Sequence, residues 1–304
     1  MTVKLRAPAY YKNFKCIADR CVHSCCIGWE IDVDGHTAAK YASLTEGYGT
    51  EIAKSIEWSE TPHFRLCEND RCPHLDERGL CRIITELGED CLCHICREHP
   101  RFYNDTSYGR EVGLGMACEE AARLILSSDG YDSIEAIGEA DREEEEIWFD
   151  AIPHRRRIFS LLSSREIPYS ERLSAICRAY GVSALDISDE VRRELFASLE
   201  YLDDGHRELF ILADLDHNTP AGMELSLERA LAYFIYRHCT AAFDEEDFRA
   251  ALGFSLLCER LICSLAVGGT DLFEAARIVS EELEYSEENT ERIKDEFFYT
   301  EQRT

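Results

Sequence analysis

With 304 residues, 45% of them hydrophobic, the chain has enough apolar material for one large packed domain or two ordinary ones. Its 33 Lys and Arg against 60 Asp and Glu give a net charge of −27, which repels phosphate backbones and argues against a nucleic-acid partner, while a lysine-bearing protein is attracted. The opening MTVKLRAPAYYKNFKC has no apolar leader core, and no apolar run reaches spanning length without a charge, so the expectation is a soluble cytoplasmic protein with no membrane partner.

In chain order, the first part is irregular, punctuated by tryptophan, glycine and proline. RFYNDTSYGREVGLGM predicts a short hairpin turning at Asn104 to Tyr108, and ACEEAARLILSS a short helix with Ala121, Leu124 and Ile125 facing inward. At SSDGYDSIEAIGEAD periodicity lapses and Ser, Gly and Asp accumulate, which places a seam there, with a cysteine-rich region over 1–130 and a helical domain over 131–304. The acidic run ADREEEEIW reads as solvated helix surface.

Helix then follows helix. YSERLSAICRAYG carries Ser170 as cap, Leu173, Ile176, Cys177 and Tyr180 as stripe, and Gly181 as stop. SDEVRRELFASLEYLDDG repeats the grammar with Ser188 as cap, Val191, Leu195, Phe196, Leu199 and Leu202 as stripe, and Gly205 as stop. Leu225 to Phe243, Glu246 to Val267 and Leu272 to Glu282 complete an all-helical bundle, so the fold class is mainly α, with minor β confined to the cysteine-rich region.

Eleven of the fifteen cysteines lie at or before Cys118. In a reducing compartment such clustering points to metal ligation before disulfides. Cys16, Cys21, Cys25 and Cys26 come first, in CIADRCVHSCCIGWEI; CPHLDERGLC holds Cys72 and Cys81, CLCHICREHPRFY holds Cys91, Cys93 and Cys96, and GLGMACEEAARLIL holds Cys118. Thiolates suit iron, iron-sulfur clusters and zinc, and ligands from distant segments converge only when the chain folds around the metal. The paired CxxC grammar of a zinc ribbon is absent. The CxxxCxxC of radical chemistry starts at Cys21 and Cys25 but finds Gly28 in its third position. His23, His94 and His99 lie among the thiols as further ligand candidates, Trp29 reads as packing over a metal site, and Cys177, Cys239, Cys258 and Cys263 read as small core residues.

These motifs, in this order over roughly the first 125 residues, resemble the flagellin lysine N-methylase family, a group of cysteine-cluster proteins with a CxxCxxCC-type motif. ARIVSEELEYSEEN is similar to a family helix near the C-terminus. The resemblance implies methyl transfer from S-adenosylmethionine to lysine side chains of flagellin, with a 4Fe-4S cluster. It implies Cys16, Cys21, Cys25, Cys26, Cys72, Cys81, Cys96 and Cys118 as ligand residues, with Cys67, Cys91 and Cys93 as extras. Eight thiols exceed the four one cluster needs, so either a second site exists or some of the eight are structural.

Displacement at a sulfonium methyl needs positioning and a deprotonated lysine rather than a radical. No catalytic side chain and no donor pocket are assigned by the sequence: GLGMA, from Gly113, does not open a doubly wound unit. Glu30, Asp32 and Asp34 of EIDVD either attract a substrate lysine or form the polar face of a short strand, and Tyr41 or Tyr103 either line an amine pocket or pack. The rival functions are a non-enzymatic iron-sulfur or zinc protein in metal handling, and a zinc-stabilised module whose acidic surface binds a basic partner.

Overall fold

The computed structural model describes residues 1–143 and 146–300. In chain order the elements are β1 (Thr2–Pro8), α1 (Gly35–Ser43), α2 (Gly49–Ser55), β2 (Ile56–Glu57), β3 (His63–Phe64), α3 (Arg82–Leu87), α4 (His94–Glu98), β4 (Arg101–Thr106), β5 (Gly109–Leu114), α5 (Glu119–Ser127) and β6 (Ile134–Asp141). Helices α6 (Ile152–Leu162), α7 (Tyr169–Tyr180), α8 (Asp189–Ser198), α9 (Asp204–Ile211), α10 (Glu224–His238), α11 (Glu245–Val267), α12 (Leu272–Val279) and α13 (Glu287–Thr300) follow. The protein is mainly helical with minor sheet, as its sequence predicts. Two compact units emerge: 15–101 forms one, and 1–14 with 102–304 forms the other.

In the larger unit, a four-stranded sheet in the order β4-β5-β1-β6 accompanies the helices. Strand β1 runs parallel to β5 and antiparallel to β6. The hairpin β4–β5 forms as predicted, and Gly109 at its turn has φ +130, with room for no side chain because an added Cβ would sit 2.4 Å from the Lys4 carbonyl. The lapse of periodicity before residue 142 is strand β6, whose side chains are mostly exposed and so carry no apolar signature. The acidic run is not helical where it is described: Ala140 and Asp141 end β6, Glu143 and Glu146 lie in irregular chain, and Glu144 and Glu145 fall outside the described residues.

Helix α11 has 23 residues, apolar and long enough to cross a membrane by length and composition, yet 83% of its apolar window is buried within the protein. It packs against α10, α12 and α13, and so serves as the axis of the core. Gly253 lets α13 close on it, since an added Cβ would meet the Phe297 ring at 2.5 Å. Cys239, Cys258 and Cys263 are fully buried there, as predicted of core residues.

Two predicted helix ends moved. Pro168, not Ser170, caps α7, because proline sets the entry backbone and Ser170 falls inside the first turn. Gly181 does end that helix, in the left-handed conformation. Helix α8 stops at Ser198, well before Gly205, which instead lies in the first turn of α9. The cause lies elsewhere in the chain: buried Glu282 accepts the backbone N–H groups of Leu202 (2.8 Å) and Asp203 (3.2 Å), turning the chain there.

That carboxylate sits in a π-helical turn, Ser280–Glu284, between α12 and α13. The same turn buries Glu284, which accepts from the Tyr233 hydroxyl (2.9 Å) and pairs with His238 Nε2 at 2.6 Å. Tyr233 in turn accepts from the Met116 N–H (3.2 Å) and from Arg237 (3.0 Å), so the GLGMA loop is pinned from behind. Gly115 is required there: an added Cβ would lie 2.2 Å from the Tyr285 hydroxyl.

Candidate metal centre

The unit 15–101 has little regular structure, and its sulfurs line its core. Ile31, Val33, Tyr41, Ile52, Phe64, Ile83 and Leu92 are buried together with Cys72 and Cys93, while Cys26, Cys81, Cys91 and Cys96 pack partly buried against them. EIDVD alternates as the plainer reading expects, with Ile31 and Val33 inside and Glu30 and Asp32 outside. Asp34 caps α1 by accepting from Thr37 N–H (3.0 Å) and also accepts from His94 N–H (2.8 Å). Against the cost of its burial, these donors hold its carboxyl at about 2. Tyr41 is sealed in this core with its hydroxyl donating to the Cys91 carbonyl, so it lines no amine pocket.

Backbone hydrogen bonds bring the distant cysteine motifs together. The Cys72 N–H donates to the Cys26 carbonyl (2.8 Å), and Gly28 N–H donates to Asp70 (3.0 Å) from a left-handed turn at φ +84. In CPHLDERGLC the chain reverses at Asp76 to Leu80, Gly79 taking φ +78, and Leu75 pairs with Cys81. Cys81 is the N-cap of α3 and Cys93 that of α4, neither making a side-chain capping hydrogen bond, and the backbone of each first turn favours the ionised thiol.

The electrostatics show five of these thiols acting on one another. Cys26 is drawn down to about 7, first by the Cys25 thiol donating to it, with Ser24 and the Arg71 charge adding to the effect against burial. Burial raises Cys72 to about 12 and raises Cys81, and in both the charge on Cys26 and on Cys93 adds to the rise. Cys93 is lowered by the Cys96 thiol donating to it, and Cys96 is correspondingly raised. Cys26, Cys72, Cys81, Cys93 and Cys96 therefore form one constellation in which ionising any member burdens the rest. Clustered thiols of this kind are the donor type that iron-sulfur chemistry uses, while among the described residues no three of their sulfurs lie within 4.8 Å of one another, the spacing of ligands on a single metal ion.

Four of the eight residues implied by resemblance, Cys26, Cys72, Cys81 and Cys96, are in that constellation, and Cys25 donates into it from an exposed position. Cys16 accepts from Ala18 N–H (3.4 Å), and Cys21 donates to the His23 carbonyl (3.1 Å), both upstream in the same unit. Cys118 belongs to the other unit, as N-cap of α5. Cys93 is the residue that sequence reasoning set aside; its CxxC spacing with Cys96 was the available signal. Of the two other extras, Cys67 is exposed and Cys91 donates to the Leu87 carbonyl at 3.5 Å.

His94 is exposed and is used through its backbone, and His99 is held near 4 by burial and Arg101. The imidazole buried deepest in this unit is one the sequence did not single out, His74. Its ring nitrogens meet the Tyr48 hydroxyl (2.6 Å) and the Ser55 hydroxyl (2.8 Å), and burial lowers it to about 4, which makes it a neutral structural pin. Glu30 and Asp32 approach His63 in an oxygen and nitrogen group at the exposed edge, distinct from the sulfurs.

Compared with known proteins, the chain is 32% identical over 136 residues to the flagellar biosynthetic protein FliU of Salmonella muenchen, a match covering 41% of this chain and 78% of that protein. It is likewise 32% identical over 136 residues to proteins named lysine-N-methylase in Salmonella choleraesuis and Salmonella typhimurium. The chain spans about a third of the length of those two, 33% in each case. No family model and no solved structure matches it. A motif order that survives into a folded sulfur constellation, together with a relative covered over most of its length, means that the chain belongs to the flagellin lysine N-methylase family.

Proposed function

We propose that the protein is a protein lysine N-methyltransferase that carries the methyl group of S-adenosylmethionine to lysine side chains of flagellin and depends on a 4Fe-4S cluster. The observation that carries this reading is the likeness to proteins named lysine-N-methylase and FliU. The sulfur constellation supports the cluster: four of Cys26, Cys72, Cys81, Cys93 and Cys96, all within 15–101, would hold it, and Cys16, Cys21, Cys25 and Cys118 are the further cysteines that family resemblance implies. When bound, such a cluster supplies the positive charge that lets buried thiolates coexist. The chain's own task at the methyl is to present a neutral lysine nitrogen in line with the sulfonium and to exclude competing water. A net charge of −27 favours encounter with a lysine-bearing partner.

The test is mass spectrometry of flagellin from the same cell after incubation with S-adenosylmethionine and the anaerobically purified protein. Added methyl mass on lysines, lost in Cys72→Ser, is the expected result. Unmodified flagellin with the metal centre verified intact would contradict the activity and leave a non-enzymatic metal-binding protein.

A further inference from the structure

A second feature lies within the larger unit. Between hairpin β4–β5, the segment leading into α6 and the chain after α10 opens a cleft of about 300 Å³, the lower end of the roughly 300–1,000 Å³ range of small-ligand sites. Tyr103, Trp148, Phe149 and Phe243 contribute aromatic rings to its wall, and no lysine, arginine or histidine is among the described lining residues. Carboxylates line it instead. Asp105 is committed to Arg110 (3.3 Å). Asp150 is held in place by the Ser107 hydroxyl (3.1 Å) and the Ile152 N–H (3.2 Å), and Glu146 is exposed beside it.

Arg110 already lies over the Tyr103 ring at 5.4 Å and pairs with Asp105, but Trp148, Phe149 and Phe243 with Asp150 and Glu146 still favour a cation carried on an apolar stem, because ring faces attract the charge while their area covers the methylenes. Trp148 is 78% exposed and Phe243 64% exposed, although large apolar side chains on a solvated surface gain nothing by exposure. Walls that stand open suit a side chain presented by another macromolecule rather than a small molecule enclosed on all sides.

We propose that this cleft receives the lysine side chain of the protein substrate, its ammonium lying between the aromatic rings and the carboxylates of Asp150 and Glu146. This rests on the reading that the substrate is a lysine in a protein, and it names the surface that selects it. Tyr103, considered for an amine pocket from sequence, is on that surface. Tyr41, considered with it, is not.

The test measures binding to the full-length protein without methyl donor, using a capped peptide with one lysine and the same peptide with norleucine in its place. Titration calorimetry should find binding of the lysine peptide only. Trp148→Ala and Phe243→Ala should each weaken it about threefold to thirtyfold, the range of a cation–aromatic contact, and Asp150→Asn should weaken it too. Hydrogen exchange in the wild-type protein should show protection by the peptide around Tyr103 to Ser107 and Phe149 to Ile152, which needs no variant to fold.

Equal binding of the norleucine peptide, unchanged affinity in both aromatic variants, or displacement of the peptide by S-adenosylmethionine would overturn the assignment. Methyl transfer that proceeds with an unchanged KM in Trp148→Ala would remove the cleft and leave the methyltransferase reading standing. Lysine-selective binding at the cleft with no transfer would do the reverse.

Discussion

The two compact units bury their chain in opposite ways. The larger one encloses long helices around α11, with Leu, Ile, Phe and Ala dominating a continuous core, and its buried charges are neutralised in place. Glu228, for example, accepts from Tyr131 (2.9 Å), Arg165 (2.9 Å) and Arg172 (2.6 Å). The unit over 15–101 has four helices of nine residues or fewer, and a good part of its interior is sulfur. A core of the first kind is held by apolar burial. One of the second kind, whose thiols raise each other's cost of ionisation, would on the proposed reading be completed by a ligand, and that dependence is what the contrast puts to the test.

The largest expected effect follows from removing that ligand. Chelation under anaerobic conditions, or Cys72→Ser, should unfold 15–101 while the helical unit stays protected, because binding energy at a structural metal site, on the order of 10 kcal/mol for zinc in small domains, is also folding energy. Hydrogen exchange resolved by peptide reads this directly, and equal loss of protection in both units would break the comparison. Its converse is Glu228→Gln, which strands Arg172 and should cost about 3–5 kcal/mol in the helical unit. Denaturant unfolding followed in parallel with metal content should show the stability fall and the metal remain.

Smaller effects sharpen the same division. Cys258→Ser puts a hydroxyl into the apolar centre of α11 and should cost about 1–3 kcal/mol, again with metal content unchanged; parallel metal loss would mean that the late cysteines are not core residues alone. The smallest effect is one of pH. The pull of Glu282 at 2.6 Å, with Glu281 and Asp203 adding to it, outweighs the cost of burying His206 and raises its pKa. The stability this contributes is full below the unfolded histidine value of about 6.5 and fades as pH rises through the higher folded value. Thermal midpoints across that range should decline in the wild type more steeply than in His206→Ala.

Legibility in the sequence followed the same line between units. The helices of the larger unit were readable because a 3.6-residue period and terminal glycines such as Gly181 are local signals. Where a distant group decides, as Glu282 does for the end of α8, the boundary was misplaced; at the start of α7 the signal was local, and Pro168 rather than Ser170 carried it. Strand β6 was invisible because an edge strand with solvated side chains has no apolar alternation. In the small unit the motifs announced sulfur chemistry, yet which sulfurs meet depends on turns at Gly28 and Gly79 and on the pairing of Cys26 with Cys72. Cys93 was set aside because the family resemblance did not include it, although its CxxC spacing with Cys96 was there to be read. Of the aromatic cleft only Tyr103 was singled out from sequence, since Trp148 and Phe243 come from two other, separate segments.

The central claim is that the thiols of 15–101 hold an iron-sulfur centre, and elemental analysis of the full-length protein purified without oxygen tests it most directly. The account predicts iron and acid-labile sulfide in comparable amounts, retained in Cys258→Ser and lost in Cys72→Ser and Cys93→Ser. Stoichiometric zinc without sulfide, or iron that persists when Cys72 and Cys93 are replaced, would contradict it.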